Sequence, residues 1–338
     1  MQNRIKYIDV AKFIGIFCIY LGHFGDSAGY AYNFVFIFHV PLFFFLSGLS
    51  ENLTRDIPLH KYVVKNVKNI LIPCYLFAII SVVLQCIFTN TYAEVSNNLI
   101  QIFKGCIRNH FFAGGVWFLT CLFVIKIVFY ILRKLLKYKA LLLIVSFAFY
   151  LVAQLVINPL PIISPHMPYN IDSACYYIVF YALGYCCSEI VRSFLMFDNV
   201  LKRVIGVVIG VFSLVFSAFL FFGKNFFYYL GNLGTGTTIF IVASFINPII
   251  VILLVLIVSR LMENVNVFVE LGKDTLFLCG SEYMVKELAI TCLHTIGLGI
   301  AFPNPVSAYI YTFALLFLCY KFLIPVEKSL FKKLRLLK

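Results

Sequence analysis

Apolar residues run along this chain in blocks of about twenty, the length that carries a helix across a bilayer, and short polar stretches separate the blocks. Ten segments meet or approach that length: Tyr7–Phe24, Asn33–Ser50, Lys68–Phe88, Gly115–Leu132, Ala140–Ile157, Ala174–Val191, Val204–Phe222, Thr238–Arg260, Thr275–Ile296 and Val306–Val326. The connections are short, so sequential helices should be antiparallel neighbours. The pattern predicts an all-α integral membrane protein of about ten transmembrane helices. Two connections differ from the rest. Thr89–Gly114 is polar and suits a short interfacial helix, and Asn158–Asp172, with Pro159, Pro161, Pro165 and Pro168, suits an ordered non-helical loop.

Lys and Arg fix the expected sidedness. With the N-terminus inside, twenty of them fall on the cytoplasmic side, including Arg4, Lys6, Arg55, Lys65, Lys68, Arg192, Arg260, Arg335 and Lys338. Only three, Lys104, Arg108 and Lys224, fall outside. Both termini are therefore expected in the cytoplasm, which requires an even number of spans.

Composition agrees. Of 338 residues, 62% are hydrophobic and 12% charged, about half the charged share of a soluble domain. The net charge of +13 lies in short clusters between apolar runs, so it points to membrane loops and lipid headgroups and not to a nucleic-acid partner. The 11 cysteines sit mostly inside apolar runs, as Cys74, Cys121, Cys279 and Cys319 do, and read as small buried hydrophobes. No metal-ligand spacing stands out, so no metal is expected. The first apolar run lacks a small-residue cleavage site, and no cleaved leader is expected.

Charges inside apolar runs are expensive, so each is a candidate for function. The first helix carries Asp9, Lys12 and His23. Lys12 and His23 are eleven residues apart, about three turns and about 16 Å, and share a face. Asp9 lies on nearly the same stripe, and Asp26 follows one turn after His23. Asp9 and Lys12 also fit an interfacial pair with a snorkelling lysine. In the second helix His39 precedes Pro41, and Ser47 and Gly48 favour close helix packing. In the ninth, Glu282 and Lys286 have the spacing of a helical ion pair, which either neutralises itself or places Glu282 toward a cavity.

These runs resemble the membrane acyltransferase family three, more narrowly its branch related to fucose 4-O-acetylase. Tyr7-Ile-Asp9-Val-Ala-Lys12 through to His23 is similar to the family's first helix, and His39-Val-Pro-Leu-Phe-Phe-Phe-Leu-Ser-Gly48 to its second. Lys65 to Tyr75, Trp117-Phe-Leu-Thr-Cys-Leu-Phe123, Phe180 to Tyr185 and Leu271 to Leu276 resemble later motifs, in order. Two departures stand out. Lys12, Lys65 and Lys68 occupy positions where many members have Arg, losing the bidentate fork, and no His stands near Glu282.

The resemblance implies a single transmembrane acyltransferase domain over residues 1–338 in the bacterial cytoplasmic membrane. It implies acetyl-CoA as donor and a hydroxyl of a cell-surface or lipid-linked carbohydrate as acceptor. Lys12, Lys65 and Lys68 are then the donor-binding cations. His23 is the general base, since an ordinary imidazole titrates near about 6.5, or else the residue that carries the acyl group. Asp26 or a backbone carbonyl would orient it, and His39 would donate to the oxyanion. Tyr30, Tyr32, Trp117 and Tyr169 are candidates to pack against a sugar, with Asp9, Glu282 and Lys286 as further cavity residues. The alternative is a glycolipid or polysaccharide-precursor transporter. It lacks the paired broken helices that transporters often show.

Overall fold

A computed structural model describes residues 4–51, 57–89, 94–157, 165–223, 238–295, 297 and 304–333. Arg55, Pro159, Pro161, Lys224, Arg335 and Lys338 lie outside the described residues. Among the described residues every regular element is helical, as a hydrocarbon solvent demands, since backbone groups there must be satisfied within the segment. In order these are α1 (Lys6–Gly22), α2 (Tyr30–Leu49), α3 (Leu59–Asn66), α4 (Ile72–Thr89), α5 (Val95–Phe103), α6 (Trp117–Leu135), α7 (Lys139–Val152), α8 (Ile171–Cys186), α9 (Ser188–Leu195), α10 (Val200–Phe222), α11 (Thr238–Leu261), α12 (Asn266–Lys273), α13 (Thr275–Gly280), α14 (Glu282–Thr295), α15 (Pro305–Leu318) and α16 (Ile324–Lys333).

Among the described residues, six continuous helical stretches are long and apolar enough to cross a membrane: Tyr30–Leu49, Leu59–Phe88, Lys139–Ile157, Val200–Phe222, Thr238–Leu261 and Pro305–Lys333. A seventh is available if α8 and α9, bent by 56°, form one span. The other expected spans differ for local reasons. α1 has 17 residues, about 25 Å of helix against a hydrocarbon core of about 30 Å. α6 carries Lys126, Arg133 and Lys134 within its 19 residues. The expected ninth span is interrupted at Ser281, giving α13 and α14. The polar stretch after α4 does hold a short helix, α5.

The chain forms two compact units. The first comprises Met1–Glu51, Phe180–Thr275 and Phe302–Leu316. Within it α2 is the most enclosed span, with 67% of its apolar window buried, whereas α10 has 22%. Val207, Val211, Leu214 and Phe219 of α10 accordingly present apolar side chains outward, as a lipid-facing helix must. Small residues set the crossings. A methyl added at Gly48 would fall 2.0 Å from the Tyr181 carbonyl oxygen, and one at Gly184 would fall 2.0 Å from that of Phe45. α2 and α8 thus meet backbone to backbone through two glycines, the packing that Gly48 suggested. Nearby, the Tyr181 hydroxyl donates to Glu51 at 2.7 Å.

The second unit comprises Asn52–Val179, Leu276–Ala301 and Phe317–Lys338. Its long stretch from Leu59 contains a π-helical turn at Val67–Leu71. Pro73 follows it, and its missing N–H breaks the regular ladder there. Phe77, Phe277 and Phe331 pack against one another, with centroid separations of 5.1–6.2 Å.

Candidate active site

Three sequence candidates gather on the α1–α2 hairpin of the first unit. α1 ends at Gly22, and His23 caps it, its backbone N–H donating to Ile19. A 3-10 turn, Gly25–Ala28, then leads to Gly29, whose φ of +61° reverses the chain into α2 without the strain another residue would carry. Asp26 lies in that turn, exposed.

His39 is buried at 5% exposure, and its Nδ1 lies 2.6 Å from the Val35 carbonyl oxygen. A carbonyl only accepts, so Nδ1 carries the proton. The neutral ring then offers a lone pair at Nε2, and His39 can serve as the expected oxyanion donor only as imidazolium. The ring packs edge-on against Phe36 at 5.1 Å, which in turn meets Tyr32 at 5.3 Å. Gly22 brings α1 against the same turn: a Cβ there would lie 3.0 Å from Val35 and 3.2 Å from Phe36. His39 and Gly22, the residue before His23, thus both touch Val35 and Phe36. Tyr30 is half exposed, tilted against Phe221 and edge-on to Phe222.

At the other end of α1, Asp9 is 2% exposed. Its main partner is Arg4, which reaches both carboxylate oxygens at 2.6 and 3.0 Å. Lys12 is at 3.9 Å. The hydrogen bond to Asp9 raises the Arg4 pKa above its ordinary value. Lys12, Arg4, Arg192, Asp9 and Ser50 line a cavity of about 390 Å³. A neighbouring cavity of about 460 Å³ shares Arg4 and Arg192 and adds Lys6, Tyr7, Arg260 and Glu263. The sidedness count assigned Arg4, Arg192 and Arg260 to the same side of the membrane, and the structure draws them into one cleft. Nothing in the spacing of Arg192 or Arg260 announced that they meet the start of α1.

The remaining candidates belong to the second unit. Lys65 and Lys68 are exposed, on α3 and on the π-helical turn that follows. Glu282, 3% exposed, pairs with Lys286 at 3.6 Å, so the ion-pair spacing is realised. Trp117 is buried, with the Arg108 guanidinium 4.7 Å over its ring and Tyr177 at 6.1 Å. The Tyr169 hydroxyl accepts from Tyr75 at 2.9 Å. These rings are engaged in packing the loops. Among the described residues no group of three or more His, Cys, Asp or Glu is placed to hold a metal ion.

Sequence reasoning also passed over Asn170, the residue that ties those loops together. Its amide donates to Thr120 Oγ1 at 2.9 Å and to the Gly105 carbonyl at 3.2 Å, and its oxygen accepts from the Arg108 N–H at 2.9 Å. It is fully buried, with φ of 56°, a conformation Asn tolerates better than most residues. Asn170→Ala should destabilise the protein by at least ~2 kcal/mol, because it strands buried partners and strains the backbone. Thermal unfolding in detergent measures this, and an unchanged midpoint would remove Asn170 as the tie.

The fold is that of a multi-pass helical membrane protein, with His23 capping one end of its first helix and a cationic cleft at the other. The chain belongs to acyltransferase family 3: the family model described as an acyltransferase domain matches residues 5–326, and the protein is a membrane acyltransferase. No curated protein and no solved structure gives a significant match.

Proposed function

We propose that residues 1–338 act as one transmembrane O-acyltransferase domain in the bacterial cytoplasmic membrane, related to the fucose 4-O-acetylase branch. In this reading acetyl-CoA is drawn from the cytoplasm, and the acetyl group passes to a hydroxyl of a cell-surface or lipid-linked carbohydrate. The observation that supports the proposal is the layout of α1 in a chain of this family: His23 caps one end, beside Gly22, which packs on Val35 and Phe36 as His39 does, and the cationic cleft lies at the other end.

The chemistry follows from those places. The donor is polyanionic, and its phosphates favour cations. Lys12 belongs to the basic cleft, and Lys65 and Lys68 offer further exposed charge. From Lys12 to His23 is about 16 Å of helix, a stretch for the thin pantetheine arm to follow. At His23 the acceptor oxygen attacks the thioester carbonyl carbon while the imidazole takes the hydroxyl proton. The C–S bond breaks as the tetrahedral intermediate collapses, and the imidazolium returns its proton to the leaving thiolate. Protonated His39 would stabilise the oxyanion. Tyr32 and Phe36 form an aromatic wall beside it for a sugar ring.

The test uses sealed membrane vesicles of both orientations. Labelled acetyl-CoA should acetylate glycan only when supplied to the cytoplasmic face, with label recovered as an alkali-labile ester on the opposite side. No acetyl-CoA binding by folded protein, with flux of a glycolipid in liposomes, would replace this reading with the transporter.

A further inference from the structure

Hydrogen-bond accounting at the N-terminal end of α1 leaves two donors over. Arg4 is taken by Asp9, and Arg260 by Glu263 and the Leu195 carbonyl. Arg192 makes one bond, from Nη2 to the Leu49 carbonyl at 3.0 Å. Its Nε is buried with no partner, and so is the hydroxyl of Tyr7. Tyr7 is 6% exposed, and both residues line the same 460 Å³ cavity. Buried donors are normally paired, and leaving two unmade on one wall is costly.

The charge balance points the same way. Among the residues that line the two adjoining cavities, the five cations Arg4, Lys6, Lys12, Arg192 and Arg260 exceed the carboxylates Asp9 and Glu263 by three, with Asp274 and Glu270 acting on Arg4 from beyond the lining. An anion with several acceptor oxygens, able to take an N–H from a guanidinium and an O–H from a phenol at once, complements these groups. A phosphate ester has that form.

We propose that this cleft is a phosphate-binding site, with Tyr7 Oη and Arg192 Nε as its specific donors and Arg4, Lys6, Lys12 and Arg260 supplying the field. One source of such phosphates is the acyl-CoA donor, and that assignment rests on the acyl-transfer reading above. Tyr7 and His23 are then about 24 Å apart along α1, so a donor held here presents its thioester at the histidines through an extended arm. The other source is the headgroup of an anionic lipid.

The experiment takes the full chain in phosphatidylcholine nanodiscs and titrates it with coenzyme A and, separately, with short-chain phosphatidylglycerol. Arg192→Gln removes the charge and Nε, and Tyr7→Phe removes one hydroxyl and keeps the ring, so it folds even if the arginine variant does not. Arg203→Gln, outside the cleft, is the control. Coenzyme A affinity should fall about tenfold or more in Arg192→Gln and several-fold in Tyr7→Phe, and stay unchanged in Arg203→Gln. If phosphatidylglycerol shows that dependence and coenzyme A does not bind, the phosphate site stands and the donor reading falls. If coenzyme A binds wild type and both cleft variants alike, the cleft is overturned while the donor reading survives. If neither ligand binds, or Arg203→Gln weakens binding as much as Arg192→Gln, the proposal is overturned.

Discussion

Replacing His23 with alanine is expected to lower acetyl transfer by roughly 10²–10⁴-fold, the contribution of a positioned general base, while coenzyme A binding stays close to wild type. The separation follows from the length of α1. His23 caps its far end, and the cationic cleft lies beside its first turns. The substitution spares the fold because the cap bond from residue 23 to Ile19 uses the backbone N–H, which alanine retains. Single-turnover transfer with pre-bound donor reads the chemical step apart from binding. Added imidazole should restore part of the rate, a signature that a merely structural histidine would not give. His39→Gln tests the second ring: Gln can still donate to Val35, so folding should hold while a loss of rate appears with saturating donor. A His23→Ala protein with near-wild-type turnover would remove His23 as the base.

Much of the fold was legible because apolar length is a local quantity. Each long span is a run of adjacent residues, and Gly48 advertised its packing role within its own helix. Spans that depended on tertiary detail were less legible. Ser281 interrupts a run that looks continuous by hydropathy, and Lys126 weakens α6 without ending it. The candidate site divides along the same line. Spacing placed Lys12 and His23 on one helix face, and it foretold the Glu282–Lys286 pair. It offered Lys12 as one possible partner of Asp9, which lies at 3.9 Å, and passed over Arg4, whose planar fork engages both oxygens. Arg192 and Arg260 are 185 and 253 residues further along the chain than Tyr7, so their meeting is a product of packing that no single-sequence spacing encodes. The His39–Val35 bond, by contrast, is an i to i−4 contact within one helix.

Gly272→Ala should cause the largest loss of stability among single-methyl changes in the first unit. α12 crosses α1 so closely that a Cβ on Gly272 would lie 1.8 Å from the carbonyl oxygen of Asp9 and 2.4 Å from its carbon. Those atoms are helix backbone and cannot swing aside as a side-chain tip can, so the two helices must separate. Separation also disturbs Phe13 and Phe268, which stack across the same crossing at 4.5 Å and 12°. Overpacking of this kind costs about 1–3 kcal/mol or more. The matched control is Gly210→Ala, where the nearest atoms are side-chain carbons of Ile257 at 3.8 Å, an ordinary contact. There the added methyl also favours the helix by up to about 1 kcal/mol. Thermal unfolding in detergent should therefore show a midpoint lowered by several degrees for Gly272→Ala, and unchanged or raised for Gly210→Ala. The effect should reach the cleft, because Asp9 is the residue displaced and its carboxylate holds Arg4 and approaches Lys12. Coenzyme A binding should weaken in Gly272→Ala even below its unfolding temperature, and remain intact in Gly210→Ala. Equal midpoints for the two variants would mean that α12 and α1 do not cross at Gly272, and would remove the scaffold on which the cationic end of α1 is placed.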